Sequence, residues 1–315
     1  MDIICMKRLF FMLSAICLFA LMLLFPKPVF EGAGAGLLLW FNIVLPTLLP
    51  FIIISSLLIE TGAAALISRL TGPLFSRLFG ISAQGSFAVL TGFLCGYPMG
   101  GKVTADLVKR GDISPEEGRY LLSFCNNTSP AFIISYVVWQ NLKDESLTIP
   151  AIVILTASPV LCSFLFRRYY HRGGHLKEKS CAVPPVSHTS AGVLDGCIMN
   201  GFETITKVGG YIMLFSVLIA LAGLIPFHSR ALELIGLPSL EITNGISMLC
   251  RSHLEPGLCF VLAMGLTSFG GWCSVAQTRC MVQESGLPIL PYTIEKLITA
   301  GVTSLFACGY IILLK

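Results

Sequence analysis

Gly92-Phe93-Leu94-Cys95-Gly96-Tyr97-Pro98-Met99-Gly100-Gly101-Lys102 closes an apolar run at membrane depth. Its four glycines and one proline interrupt a helix there. In hydrocarbon, backbone N–H and C=O groups have no water to turn to. A break survives only where protein buries it or where it lines a wet cavity. A second interruption follows at Asn126-Asn127-Thr128-Ser129-Pro130. Paired broken helices at membrane depth point to a transporter's binding site.

Composition sets the frame around these breaks. The 315-residue chain is 55% hydrophobic and 12% charged, with a mean hydropathy of +0.81. A soluble domain carries about 25% charged residues. The chain therefore reads as an all-α polytopic membrane protein, with the lipid bilayer as its first partner. A net charge of +4, small and scattered, argues against nucleic acid as a partner. The twelve cysteines lie mostly in apolar stretches, as do Cys17, Cys95, Cys162 and Cys308, and no CxxC pair exists. They read as small apolar packing residues rather than a disulfide or metal framework. His171 and His175 have the spacing of a helical metal pair, but Gly173 and Gly174 intervene and no acidic ligand is near. That segment reads as a solvated basic loop. No phosphate-binding loop, Ser-His-Asp arrangement or metal set stands out, so the chain does not read as an enzyme. No cofactor is expected, and a coupling Na+ or H+ is left open.

Apolar segments of spanning length, about 20 residues each, fall near 9–25, 35–59, 116–139, 148–166, 208–226 and 292–313. The first reads as a retained membrane helix, because the run ends at Phe25-Pro26-Lys27-Pro28 without a small-residue cleavage site. Stretches 84–101 and 256–276 run into glycine-rich or polar breaks. Shorter amphipathic pieces lie near 62–80, 191–206 and 231–250. Lysine and arginine in short loops set the orientation. The loop 167–190 carries Arg167, Arg168, Arg172, Lys177 and Lys179 against Glu178, which places it in the cytoplasm. Loop 140–147 has no positive excess and faces outside. With Lys109 and Arg110 kept inside, 84–111 reads as a re-entrant hairpin rather than a span.

An internal repeat is legible. Pro73 to Ser82 aligns with Pro238 to Ser247, and Leu90-Thr91-Gly92-Phe93 with Leu266-Thr267-Ser268-Phe269. Gly96-Tyr97 then aligns with Gly271-Trp272, Gly111 with Gly286, and Pro115 with Pro291. The copies cover 33–139 and 197–313, in opposite orientation, so the chain divides into an N-terminal helix (1–32), repeat 1 (33–139), a connector with the basic loop (140–196) and an inverted repeat 2 (197–315). An inverted-topology repeat is the arrangement from which alternating access follows.

Three groups carry the expected chemistry. Gly96, Gly100 and Gly101 let the backbone turn and approach a ligand, and Pro98 frees a carbonyl in the preceding turn. The helix after Gly101 presents free N–H groups to an anion, and Lys102 adds a full charge. Asn126, Asn127, Thr128 and Ser129 are amides and hydroxyls at mid-helix, which need partners in lipid. Glu241, Thr243 and Asn244 form the third group, with an ion or proton as candidate ligand for the glutamate. Its bland alternative is a helix end with capping residues. Ser268 and Gly271 are the repeat-2 counterparts. Glu60, Glu203 and Lys207 read as weaker, interfacial candidates.

At Gly96-Tyr97-Pro98-Met99-Gly100, Asn126-Asn127-Thr128-Ser129-Pro130 and Leu240-Glu241-Ile242-Thr243-Asn244-Gly245 the chain resembles the sporulation integral membrane proteins of the nucleoside-recognition (Gate) domain family. The resemblance runs from about residue 33 to the end. It implies an architecture similar to concentrative nucleoside transporters, with two re-entrant hairpins and two broken helices around a central site. It implies a substrate as well: dipicolinic acid, a small anionic aromatic metabolite, exported from the mother cell across the outer forespore membrane. In this reading hairpin tips 92–102 and 268–278 meet broken helices at 126–130 and 302–306. Lys102 attracts the carboxylates and Tyr97 offers its ring. A nucleoside or related metabolite is the alternative substrate, and a non-transporting membrane assembly factor is the alternative class. Energy coupling is open, as is a homo-oligomeric state.

Overall fold

A computed structural model describes residues 3–170, 190–225 and 229–314. His171, Arg172 and His175 of the basic loop lie outside the described residues. Helices joined by short turns make up the described chain, with no strand among them. Six helical runs are long and apolar enough to cross a membrane: Pro26–Glu60, Pro115–Leu142, Glu145–Tyr170, Gly192–Ala222, Pro256–Ser285 and Ile289–Leu313. The chain is a multi-pass helical membrane protein.

After α1 (Ile3–Leu24), α2 (Pro26–Leu39) passes through a π-helical turn, Trp40–Val44, into α3 (Leu45–Glu60). This 35-residue run lies antiparallel to α10 (Ser190–Ala222). Gly32 packs on Ala220, Gly36 on Met213 and Ser216, Trp40 on Gly209, and Ile53 on Gly201. Small residues at these crossings let the two backbones approach, which is how helices associate in lipid. Expected as two pieces, 191–206 and 208–226, this segment is a single helix. The amphipathic 191–206 face has α3 to bury against, so nothing breaks it.

The centre is built from half-length helices. α4 (Ala63–Phe79) leads to α5 (Gly85–Cys95), α6 (Met99–Arg110) and α7 (Pro115–Cys125). Eleven residues at 1.5 Å each reach about 17 Å, roughly half of a 30 Å hydrocarbon core. α5 and α6 fold back on each other around Gly96-Tyr97-Pro98, with Gly92 and Gly100 in contact. α7 runs parallel to α5: Gly85 meets Glu117 and Leu121, and Gly92 meets Cys125. The chain is non-helical from Asn126 to Ser129 and restarts at α8 (Pro130–Phe132), which continues as a π-helical segment, Ile133–Leu142. α9 (Thr148–Tyr170) returns.

In the second half a π-helical turn, Leu232–Gly236, precedes α11 (Ile242–Arg251). α12 (Pro256–Phe269) folds back on α11, with Gly245 against Leu266. α13 (Gly271–Val282) follows a one-residue break, and α14 (Ile289–Leu314) ends the described chain. α14 lies antiparallel along α12 and α13 together, pairing Ile311 with Gly257, Ser304 with Gly265, and Tyr292 with Thr278.

Two expectations are corrected here. Residues 268–278 are not a hairpin tip, because α12 and α13 stack end to end along α14. The helix expected to break at 302–306 is continuous through α14. Val302-Thr303-Ser304 carries no proline or glycine run, and Thr303 returns its hydroxyl to the Thr299 carbonyl. The alignment of Gly96-Tyr97 with Gly271-Trp272 therefore joins a reversing turn to an interruption within a span.

A group of paired or packed basic residues lies on one face. Arg167 packs its guanidinium on Gly80, Lys109 pairs with Glu284, Arg110 with Glu60 at 3.0 Å, and Lys207 with Glu203 at 2.6 Å. The last two pairs use the weaker site candidates as exposed ion pairs. The opposite face holds loop 140–147 and turn 252–255, joined through one apolar cluster that includes Leu142, Leu147, Leu249 and Leu254.

Candidate functional site

A cavity of about 130 Å³ opens where the interruptions meet. Gly96, Tyr97, Thr128 and Ser129 line it from the first half, and Glu241, Thr243, Gly270, Ser274 and Gln277 from the second. Aliphatic side chains of α3 and α10, among them Leu48, Val208 and Ile212, close one wall.

The interruptions satisfy each other's backbone. A helix leaves its last four carbonyls and first four N–H groups without internal partners. For the end of α12, the Tyr97 hydroxyl donates to the Ser268 carbonyl at 2.7 Å and the Thr128 hydroxyl to the Thr267 carbonyl at 2.8 Å. For the start of α13, Trp272 and Cys273 donate their N–H groups to the carbonyls of Ser239 and Leu240. For the start of α6, the Gly101 N–H donates to Asn126 Oδ1 at 3.2 Å. The end of α12 is thus held by the first half of the chain, while the starts of α6 and α13 are held by interruptions in their own halves, and together these meet what hydrocarbon depth requires. Close approach needs glycine: a Cβ on Gly92 would overlap the Cys125 carbonyl oxygen, and one on Gly100 would come within 2.5 Å of it.

Two buried charges stand at half-helix ends of opposite polarity. Glu241, 2% exposed, caps α11. Its Oε1 accepts the Thr243 N–H at 3.0 Å, and its Oε2 accepts the Asn244 N–H and Nδ2 at 2.9 Å. Lys296 of α14, 1% exposed, lies at the C-terminal end of α7. Its Nζ donates to the Asn126 carbonyl at 3.1 Å and to Asn127 Oδ1 at 3.3 Å, and it stands 5.0 Å above the Tyr97 ring centroid. Anions are stabilised at helix N-termini and cations at C-termini, and a cation over an aromatic face gains further. Among the described residues no carboxylate pairs with Lys296, because its neighbour Glu295 accepts the Tyr170 hydroxyl at 2.6 Å. Lys296 is one side chain behind the cavity, with Tyr97 between.

Lys102, expected at the anion site, lies away from this cavity. It is buried, but its Nζ lies 2.8 Å from Asp106 Oδ2 one turn along α6, and it does not line the cavity. Asn126 and Asn127 also face protein. Asn126 Nδ2 donates to Thr278 Oγ1 and to the Tyr292 hydroxyl, both at 2.9 Å, and Asn127 Nδ2 donates to the Phe124 carbonyl at 2.7 Å. Asn244 also donates to Ser216 Oγ at 3.0 Å, and Ser268 Oγ accepts from Thr303 at 2.9 Å. Pro98, Gly100, Gly101 and Gly271 shape the turns without lining the cavity. Gln277 and Lys296 escaped the sequence reading. The pair Glu295-Lys296 inside an apolar span was the available signal, since intramembrane ionisable residues are expensive and functional by default.

Comparison with known proteins finds a family model and a relative that is an integral membrane protein. Residues 41–145 match the Gate family model, described as nucleoside recognition. That match covers the α5–α6 turn and the interruption at 126–129. The chain is 27% identical over 314 aligned residues to the sporulation integral membrane protein YlbJ of Bacillus subtilis (strain 168), covering 89% of this chain and 77% of that protein. No solved structure matches.

Proposed function

We infer that the chain is a sporulation membrane transporter for dipicolinic acid, pyridine-2,6-dicarboxylate, moving it out of the mother cell across the outer forespore membrane. The observation that carries this reading is Lys296, a buried cation without a carboxylate partner, stacked on the tyrosine that walls the cavity. The cavity, about 130 Å³, is on the scale that takes a small single-ring ligand. The carboxylates of the incoming anion meet the positive field behind Tyr97, and the ring stacks on Tyr97 itself. Glu241, a buried carboxylate on the cavity wall, is the place for a coupling proton or sodium ion as the anion enters.

The same reading gives the gate its symmetry. The α6–α7 turn lies on the basic face and the α11–α12 turn on the opposite face. In an inverted repeat of this kind Gly96–Gly101 corresponds to Glu241–Gly245, and Asn126–Pro130 to Phe269–Ser274. Rocking of one set against the other opens the cavity to alternate sides.

A second substrate class has one observation in its favour. Glu241 and Gln277 line the cavity, a carboxylate with an amide suits sugar hydroxyls and a base, and the matching family is described as nucleoside recognition.

Equilibrium binding of labelled dipicolinate and labelled uridine to the purified chain separates the readings. Dipicolinate is expected to bind wild type and Lys102→Met alike, and Lys296→Met at least about tenfold more weakly, a loss of about 1.4 kcal/mol. Undiminished binding to Lys296→Met removes its role. Uridine binding that dipicolinate does not compete supports the nucleoside reading, and binding of neither supports an assembly factor.

A further inference from the structure

The turn between α11 and α12 carries a cysteine pair. Cys250 precedes Arg251 at the end of α11, and Cys259 lies in the first turns of α12. The antiparallel helices bring the two sulfurs to 3.6 Å, and both thiols are free. Among the described residues this is the cysteine pair in sulfur–sulfur contact. A disulfide needs about 2.05 Å between the sulfurs of cysteines on adjoining elements, so these two close from 3.6 Å. Cys250 is partly exposed and Cys259 is buried. The turn shares its face with loop 140–147, opposite the arginines and lysines that mark the cytoplasmic side. Disulfides form and persist outside the cytoplasm.

We propose that Cys250 and Cys259 are a reversible thiol–disulfide site that staples α11 to α12 on the extracytoplasmic face. The oxidant is an external disulfide. The exposed Cys250 thiolate attacks one of its sulfurs and expels the other as a thiolate. The Cys259 thiolate then attacks Cys250 in the mixed disulfide and expels the second thiolate. Two electrons pass from the cysteine pair to the oxidant disulfide, and the two thiol protons go to solvent. The staple joins two half-helices whose far ends both reach the cavity, α11 at Glu241 and α12 at Gly270. Oxidation holds that hairpin as one body, and the site stands independently of which substrate the cavity takes.

The test uses the full chain in sealed right-side-out and inverted vesicles exposed to oxidised glutathione. The samples are then denatured, blocked with N-ethylmaleimide and analysed by peptide mass spectrometry. A Cys250–Cys259 linked peptide is expected in right-side-out vesicles, lost on dithiothreitol treatment and absent from Cys250→Ser and Cys259→Ser. Maleimide on both cysteines after oxidation, a glutathione adduct on Cys250 that never resolves onto Cys259, or linkage confined to inverted vesicles overturns the proposal.

Discussion

At Gly92 the chain has no room for a methyl group, because the Cys125 carbonyl occupies the Cβ position. Both partners are backbone, so no side-chain rotation relieves the overlap. Gly92→Ala is expected to cost about 3 kcal/mol or more, at the upper end of overpacking. Gly301→Ala, at a glycine with open space around its Cβ, stays within about 0.5 kcal/mol of wild type. Thermal unfolding in detergent compares the two, and equal midpoints would remove the close approach of α5 to the break. The residue scale is also where the sequence misled. Lys102 follows a glycine-rich break and looks like an anion anchor, but Asp106 is four residues on, the spacing at which helical side chains meet. Lys296 sits beside Glu295 in an apolar span, and its packing against Asn126, Asn127 and Tyr97 shows what it is buried for.

Among the elements, the joint between half-helices is the unit of stability. Asn126 accepts from the start of α6 and donates to Thr278 of α13 and Tyr292 of α14. Asn126→Ala leaves the Gly101 N–H without an acceptor where water is absent, at a cost of about 1–3 kcal/mol. A lowered unfolding midpoint with α-helical circular dichroism retained is expected, and an unchanged midpoint would show that the amide is dispensable. The two interruptions were legible because glycine, proline and asparagine stand out in apolar sequence. Their geometry was not. Gly96 pairs φ +88° with ψ −171° and reverses the chain, whereas Gly270 sits in the left-handed helical region at φ +84°, ψ −6° and passes it on into α13. Whether the next helix packs back or continues depends on the neighbours it meets, and α13 packs against α6, α10 and α14.

For the whole molecule, the stacking of α12 on α13 fixes sidedness. A hairpin at 268–278 would leave turn 252–255 and turn 283–288 on one face of the membrane, whereas the end-to-end arrangement puts them on opposite faces. In a background without other reactive cysteines, Ser285→Cys is expected to react with an impermeant maleimide from the cytoplasmic side and Ser252→Cys from the other. Labelling of both from one side would restore the hairpin. Charge agrees with the arrangement, since Lys109 of the first half reaches Glu284 beyond α13.

Composition and periodicity by themselves determined that the chain is helical, lies in a bilayer and is interrupted near residues 96 and 126. In lipid the polar backbone of an apolar segment is satisfied within its own helix or a closed barrel, and long apolar runs of about 20 residues select the helix. Tertiary structure decided which cation is buried without a carboxylate partner, which glycine turns the chain and which carries it onward. Those outcomes rest on contacts between residues more than a hundred positions apart, such as Tyr97 with Ser268 and Lys296 with Asn126. No local pattern encodes them, because the same short motif is stable as a turn or as a joint depending on what packs against it.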